Sequence, residues 1–449
     1  MMDIDEEQPP LPAEATCEGD HSRNKEASWM STRRRPFPPY SKGREDGEEE
    51  DAGGTSTDRR GRGKTENGGG RDGPRPPSAP PDPNTPRFPS SIPTPSPEPI
   101  DPTPLPPPRT EECVKRTLEV VSQGRLHAVE CLVSLAGTQA VYALIRTLRP
   151  AIYGKVKLGM TLEARDADGS YHMSTERPVA VKIVRKEKLG GRSQEDPLKE
   201  ISAMQYLGSP GNPHVMGLVE VLEDEEHVYI VLPFCDGGEV CQWFERSRYM
   251  LREEVARGFF LQILSGLTYL HARGVVHRDM SLENLLYDQR TKRCVIIDLG
   301  MCLHLPVPAT SDVLVRKQGY CGKLTYMSHE IYQNQDFYAA AVDIWALGVI
   351  LFIMLTGIPP VETPAEIDPR FRMLAEGRLS ELMDLWRVDF LSPEARDLLV
   401  GLLQVDPRAR LTLEEIREHP WVGGPVAVAL AGREGGGEGG EEGEGPSRG

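Results

Sequence analysis

The chain has 449 residues, with 52 Lys and Arg against 68 Asp and Glu and a formal charge of −16. That balance excludes nucleic-acid binding as the main business, because a phosphate backbone asks for a basic face. The 44 glycines and 40 prolines crowd the two ends, so the folded part is smaller than the length suggests.

In chain order, residues 1–110 read as a disordered tail rich in Pro, Gly and charge, unable to bury enough apolar area to offset its ordering entropy. The tail holds Thr-Pro and Ser-Pro pairs at Thr85, Thr94, Ser96 and Thr103. Pro104-Leu105-Pro106-Pro107-Pro108-Arg109 has the P-x-x-P-x-R spacing that a polyproline-binding adaptor takes, and a plain solvated spacer is the alternative. Residues 111–140 read as a helical extension. Val114, Leu118 and Val121 share one helical face, and Val129, Leu132 and Val133 continue it after Gly124. Residues 141–422 read as one folded domain of α+β class. Strand-like runs come first (Tyr142–Ile145, Val179–Val184, Val228–Leu232) and helices follow. The apolar run Ile344–Leu355 is too short to cross about 30 Å of hydrocarbon, so it is read as a buried core helix and no membrane insertion is expected. Residues 423–449 read as a disordered Gly/Glu-rich tail. The eight cysteines form no C-x-x-C pair, and Met1–Pro10 has no apolar core. An intracellular protein with reduced thiols is expected, in the cytoplasm rather than the nucleus.

The chemistry centres on His277-Arg278-Asp279-Met280-Ser281-Leu282-Glu283-Asn284 and, beyond an apolar run, Asp298-Leu299-Gly300. A hydroxyl attacking a phosphoryl group needs a carboxylate near its proton and oxygen ligands for Mg²⁺. Asp279 fits the first need; Asn284 and Asp298 fit the second. Taken alone, His-Arg-Asp is as readily a helix-end ion pair. A third feature is Lys182 inside the apolar run Val179–Val184, where an ammonium is costly unless an anion meets it. The alternative for Lys182 is an edge-strand side chain snorkelling to water.

These segments resemble the catalytic loop, metal motif and strand lysine of the eukaryotic protein kinases, Ser/Thr type. The helical half is most similar to the calcium/calmodulin-dependent and AMP-activated groups. The resemblance implies a two-lobed fold, a small β-rich lobe before a larger helical one. It implies ATP and Mg²⁺, and protein substrates bearing Ser or Thr. Lys182 is expected to hold the α/β-phosphates, braced by Glu200 on the helix-like stretch Leu198–Leu207. Leu148, Gly154 and Val156 belong to the nucleotide loop and its flanks. Val156, Ala180 and Leu286 sandwich the adenine, Leu232 backs it, and Phe234 and Cys235 lie on the hinge. Glu239 reaches the ribose or a basic substrate side chain; with Glu283 it suggests basic residues around the target. His277, Arg278, Leu299 and Gly300 support the motifs, and Arg278 is the expected receiver of an activation-segment phosphate. Glu330 is expected to pair with Arg410, and Asp343 to anchor the backbone of the catalytic loop.

The sequence departs from the family at four places. Arg149 and Ala151 stand where two of three loop glycines belong, which points to a raised KM for ATP. Ser281 stands where a lysine is usual, and Lys323 where a threonine is. Lys323 therefore reads as reaching back to Asp279, or else as a solvated loop lysine. Ser328-His329 replaces Ala-Pro before Glu330. Gly319 occupies the usual phosphorylated position. Two rivals follow: a non-catalytic pseudokinase scaffold with weakened nucleotide binding, and a protein whose first 110 residues do the work under control of the lobes.

Overall fold

In the computed structural model, residues 97–122, 125–135, 140–163, 171–189, 196–208, 211–242 and 250–424 are described. The first ninety-six residues and the tail beyond Gly424 lie outside them, so the expectations of disorder there are not addressed.

The amino-terminal lobe is a closed barrel of seven strands. In chain order these are β1 (Glu111–Ser122), β2 (Arg125–Ser134), β3 (Val141–Ala151), β4 (Gly154–Glu163), β5 (Tyr171–Arg185), β6 (Glu220–Glu223) and β7 (His227–Pro233). β1 to β5 follow one another around the wall, then β7 and β6, and β6 closes in parallel on β1 through Glu111 and Leu222. Cys113, Leu132, Tyr142, Val179, Val181, Tyr229 and Val231 meet inside. β5 is rich in β-branched residues and lies between β4 and β7, which suits a strand with neighbours on both edges. Helix α1 (Pro197–Leu207) follows β5; Asp196 caps it by accepting the Leu198 N–H, and Pro197 starts it.

Two expectations need correction. Residues 111–140 are not a helical extension but the hairpin β1–β2, so the folded domain begins ahead of residue 141. Of the apolar residues that suggested a helical face, Leu118, Val129 and Val133 fall at alternate positions of the pleat, while Leu132 points into the other core cluster. Leu118 and Val120 pack with Val129, Cys131 and Val133 against Val141, Ala143 and Leu162. β-branched valines favour that pleat, and pairing with β3 supplies the burial that a lone helix would lack. Likewise, residues 97–110 are not part of a disordered tail. They run as an extended strap over the folded domain: Ile100 bridges Val315, Thr103 bonds His304, and Arg109 bonds Gln205.

The second lobe is built around α2 (Glu253–Ala272) and α4 (Ala339–Thr356). α4 is eighteen residues, longer than the apolar run suggested, and every residue in it is buried. An all-round apolar helix of this kind forms the middle of a core. It is apolar and long enough to span a membrane by composition, but its burial gives it a protein environment. Between these helices lie the short strands β8 (Val275–Val276), β9 (Leu285–Asp288), β10 (Arg293–Ile296), β11 (Leu303–His304), β12 (Leu314–Val315) and β13 (Phe337–Tyr338), with β9–β10, β8–β11 and β12–β13 paired. The helices α3 (His329–Tyr332), α5 (Pro369–Ala375), α6 (Leu379–Leu385), α7 (Pro393–Leu402) and α8 (Leu413–Glu418) complete the lobe.

Candidate active site

A cavity of about 420 Å³ lies between the barrel and the helical lobe, within the usual range for small-molecule sites. Leu148, Val156, Ala180, Lys182, Glu200, Leu232, Phe234, Cys235, Glu239, Leu286, Asp298 and Leu299 all line it. The sheet register explains part of this. Val156 pairs with Lys182 across β4–β5, and Ala180 pairs with Leu232 across β5–β7, so their side chains share the barrel face that looks into the cavity. The hinge after β7 is tied to β9 by two backbone bonds, Gly237 N–H to Tyr287 O and Tyr287 N–H to Gly238 O, both 2.9 Å.

Gly154 is the exception among the expected pocket residues and does not line the cavity. It begins β4, and a Cβ there would lie 2.0 Å from the Ile183 carbonyl oxygen. Its role is close approach of two strands, not contact with a ligand. The turn it closes, Ile152–Tyr153, folds back on β5, with the Arg185 N–H donating to Tyr153 O at 3.0 Å. Sequence reasoning missed Arg146, Met204, Met216, Gln242 and Ile297, which also line the cavity. Met216 and Ile297 form an apolar cluster with Val295 against which Leu232, Cys235 and Leu286 pack. Their apolar character gave no cue separate from ordinary core packing. Arg149 reaches across the mouth, its Nη1 2.5 Å from Glu239 Oε1. Glu239 is therefore engaged by a residue standing at one of the missing glycines.

Lys182 Nζ donates to Glu200 Oε2 at 2.5 Å, joining β5 to α1. Glu200 is buried, so its charge is compensated by that partner. Asp298 lies on the opposite wall. Burial alone pushes its carboxyl up, but Lys182, the Gly300 N–H and the charges of His277 and Lys323 outweigh this and hold it below the usual value. Gly300 O in turn accepts the Asp196 N–H at 3.4 Å, linking the metal motif to the start of α1.

Asp279 is 7 % exposed. Its Oδ2 accepts from Asn284 Nδ2 at 2.7 Å and from Lys323 Nζ at 3.0 Å, and its Oδ1 accepts the Lys323 N–H at 3.1 Å. Lys323 Nζ also donates to Ser281 Oγ at 3.0 Å. The ammonium thus meets both the loop carboxylate and the hydroxyl that stands where a lysine is usual. Burial pushes its pKa down, but Asp279, Glu283 and Asp298 together raise it, so it stays charged. Gly322 makes this approach feasible. Its φ is +85°, and a Cβ would lie 2.6 Å from Arg278 O.

The loop itself is pinned from below. Asp343 on α4 accepts the His277 N–H and the Arg278 N–H, each at 2.8 Å, and its Oδ2 meets His271 Nε2 at 2.8 Å. Burial raises the Asp343 carboxyl, while His271, His277 and the Arg278 N–H lower it further, and the balance is below the ordinary value. His277 Nε2 bonds the Ile297 carbonyl at 3.0 Å. Arg278 and Asp298 both have positive φ, 67° and 68°. Such backbone costs about 1–2 kcal/mol per residue and persists only where its surroundings over-determine it. Farther out, Arg410 Nη1 donates to Glu330 Oε1 at 2.8 Å and to Ala341 O at 2.6 Å, both buried. In the altered motif, His329 bonds Pro364 O at 2.8 Å and stacks on Phe371. Nothing in the structure explains Ser328, whose buried hydroxyl has no partner among the described residues.

Residues 168–422 match the family model of the protein kinase domain. The match starts after β4, just past the segment whose glycines are replaced. The maternal embryonic leucine zipper kinase of Danio rerio is 32% identical over 281 residues, 63% of this chain and 37% of that one. The SNF-related serine/threonine-protein kinase of Homo sapiens is 30% identical over 286 residues, 63% of this chain and 34% of that one. The chain spans between a quarter and just over a third of the length of the curated relatives it matches. Over half of the chain lies inside the family model, from the strand lysine to the last helix, and on that ground it belongs to the protein kinase domain family.

Proposed function

We propose that this chain transfers the γ-phosphoryl group of ATP to Ser or Thr hydroxyls of protein substrates. The observation that carries the reading is Asp279, buried and oriented by three donors, Asn284 Nδ2, Lys323 Nζ and the Lys323 N–H. The substrate hydroxyl gives its proton to Asp279, its oxygen forms the bond to the γ-phosphorus, and the bond to the β-phosphate oxygen breaks to release ADP. Lys182 positions the α/β-phosphates. Asn284 spends its Nδ2 on Asp279, which leaves its amide oxygen as a ligand atom, and Asp298 is held ionised. These hard oxygens suit Mg²⁺, and no denser cluster of metal-ligating side chains occurs among the described residues. When bound, the ion supplies charge neutralisation for the phosphates. Asp279→Asn tests the reading in a radiolabel-transfer assay on a peptide array. A rate at least a hundredfold lower is expected, and an unchanged rate would end it.

Two finer readings stand beside this one. Substrates with basic residues near the target rest on Glu239 and Glu283 together, the first engaged by Arg149 and the second by Tyr326. An adaptor that reads polyproline rests on Pro104, Pro107 and Arg109, all exposed while Leu105 and Pro108 face the domain. Arginine scanning of a substrate peptide checks the first; pull-down with Arg109→Ala checks the second. No relative's name points to a non-catalytic scaffold, and that reading has no observation of its own.

A further inference from the structure

Residues 97–110 are continuous with β1 and cross three elements in order. Ile100 N–H donates to Leu314 O and accepts the Arg316 N–H on its own carbonyl, each at 2.9 Å, so it adds a rung to β12. Its side chain packs against the buried cluster that contains Val315, Phe337 and Leu303. Asp101 meets Arg316 Nε at 3.0 Å. Thr103 N–H donates to His304 O at 2.8 Å, and its hydroxyl bonds His304 Nδ1 at 2.9 Å, on β11 directly after the metal motif. Arg109 N–H donates to Gln205 Oε1 at 2.9 Å, and Gln205 Nε2 donates back to Arg109 O at 2.7 Å. Gln205 sits one turn and a residue beyond Glu200 on α1.

The elements touched are those that hold the reacting groups. From β12 the chain runs through Lys317, whose N–H bonds Asp336, and Gly319, whose N–H bonds Asn334, to Lys323 on Asp279. α1 carries the brace of Lys182. Gly319 has no hydroxyl to phosphorylate, and the nearby hydroxyls are those of Thr310, Ser311 and Tyr320. Arg278 has no carboxylate within ion-pair distance among the described residues; its Nε is buried without a partner and its guanidinium lies 6.0 Å above the Phe337 ring. A strap that bonds β12 at one end and α1 at the other can set both at once.

The geometry points to the strap as a clamp, with Ile100 and Gln205 as positioning residues that keep Lys323 on Asp279 and Glu200 on Lys182. This rests on the proposed kinase reaction. The test uses the full chain with Gln205→Ala, an exposed-side change that spares the fold, and with Ile100→Asp. Each is expected to lower kcat about five- to tenfold while KM for ATP stays within threefold. Hydrogen exchange is the second readout: Gln205→Ala should deprotect α1, Ile100→Asp should deprotect β12, and β9–β10 should be unchanged in both. Wild-type kcat in both variants, or unchanged exchange in α1 and β12, overturns the clamp. A wild-type chain that transfers no phosphate sinks the kinase reading instead, and the exchange data then still decide the clamp.

Discussion

Lys323 and Ser281 show how a contact to the loop carboxylate can be kept while the residues trade places. The ammonium reaches Asp279 from the segment after Cys321, not from the catalytic loop, and the hydroxyl that receives its second bond comes from the loop. What the site needs is a positive charge near the carboxylate and the incoming γ-phosphate; which strand of chain supplies it is secondary. Lys323→Ala should therefore lower kcat at least tenfold with KM for ATP changed little, as read from steady-state peptide phosphorylation. The double variant Ser281→Lys with Lys323→Thr should recover part of that loss, and no recovery would mean that the position of the charge matters as well. The pH sign follows from the raised pKa. The contribution is complete below the ordinary lysine value of 10.5 and is lost only as pH rises through the higher folded value, so the mutant-to-wild-type ratio should be flat across neutral pH. The swap was readable from spacing because both residues sit inside motifs of fixed length. The Arg149–Glu239 pair was not readable, since an arginine in a glycine's place says only that close backbone approach is hindered, not where the side chain goes.

At the scale of elements, strands with neighbours on both sides were legible and the hairpin ahead of them was not. Val179–Val184 has four β-branched residues in six, Val179, Val181, Ile183 and Val184, which suits a strand with neighbours on both edges. β1 and β2 carry the same valines diluted by charges, and Leu118 with Val121 fits a helical repeat by coincidence. The deciding fact is long-range: β2 pairs with β3, and β1 closes the barrel on β6. Local periodicity does not hold that information. The hairpin places Leu132, Val120 and Cys131 at 0 % exposure. Burying a side chain of this size is worth about 1.5–3 kcal/mol, so losing several removes much of a total stability near 5–15 kcal/mol. A chain begun at residue 141 should therefore lack a cooperative thermal transition, while one begun at residue 97 should melt close to the full chain. Equal melting of the two would show that the hairpin is an ornament of the barrel.

For the whole molecule, the cleft is a joint between two separately cored lobes, and its ligand contacts both. Leu148, Val156, Ala180 and Lys182 come from the barrel; Leu286, Ile297 and Asp298 come from the helical lobe. A nucleotide that binds only when these walls face each other stabilises the folded chain by mass action, about 2.7 kcal/mol at a hundredfold excess over Kd. The barrel's half of the joint carries Arg149 and Ala151 where two loop glycines are usual, which hinders close approach of its backbone to phosphate, and each 1.4 kcal/mol so lost is about tenfold in affinity. The helical half keeps Asp298 ionised by Lys182 and the Gly300 N–H. The two halves together predict weak but Mg²⁺-dependent binding. Thermal melting should shift upward by several degrees at millimolar Mg·ATP and only slightly at micromolar concentration, and EDTA should abolish most of the shift. Asp298→Asn should melt near wild type without ligand and show little Mg²⁺-dependent gain. A full shift in the presence of EDTA would place the affinity in the adenine pocket alone, and no shift at millimolar Mg·ATP would leave the aligned Lys182, Asp279 and Asp298 without a nucleotide to act on.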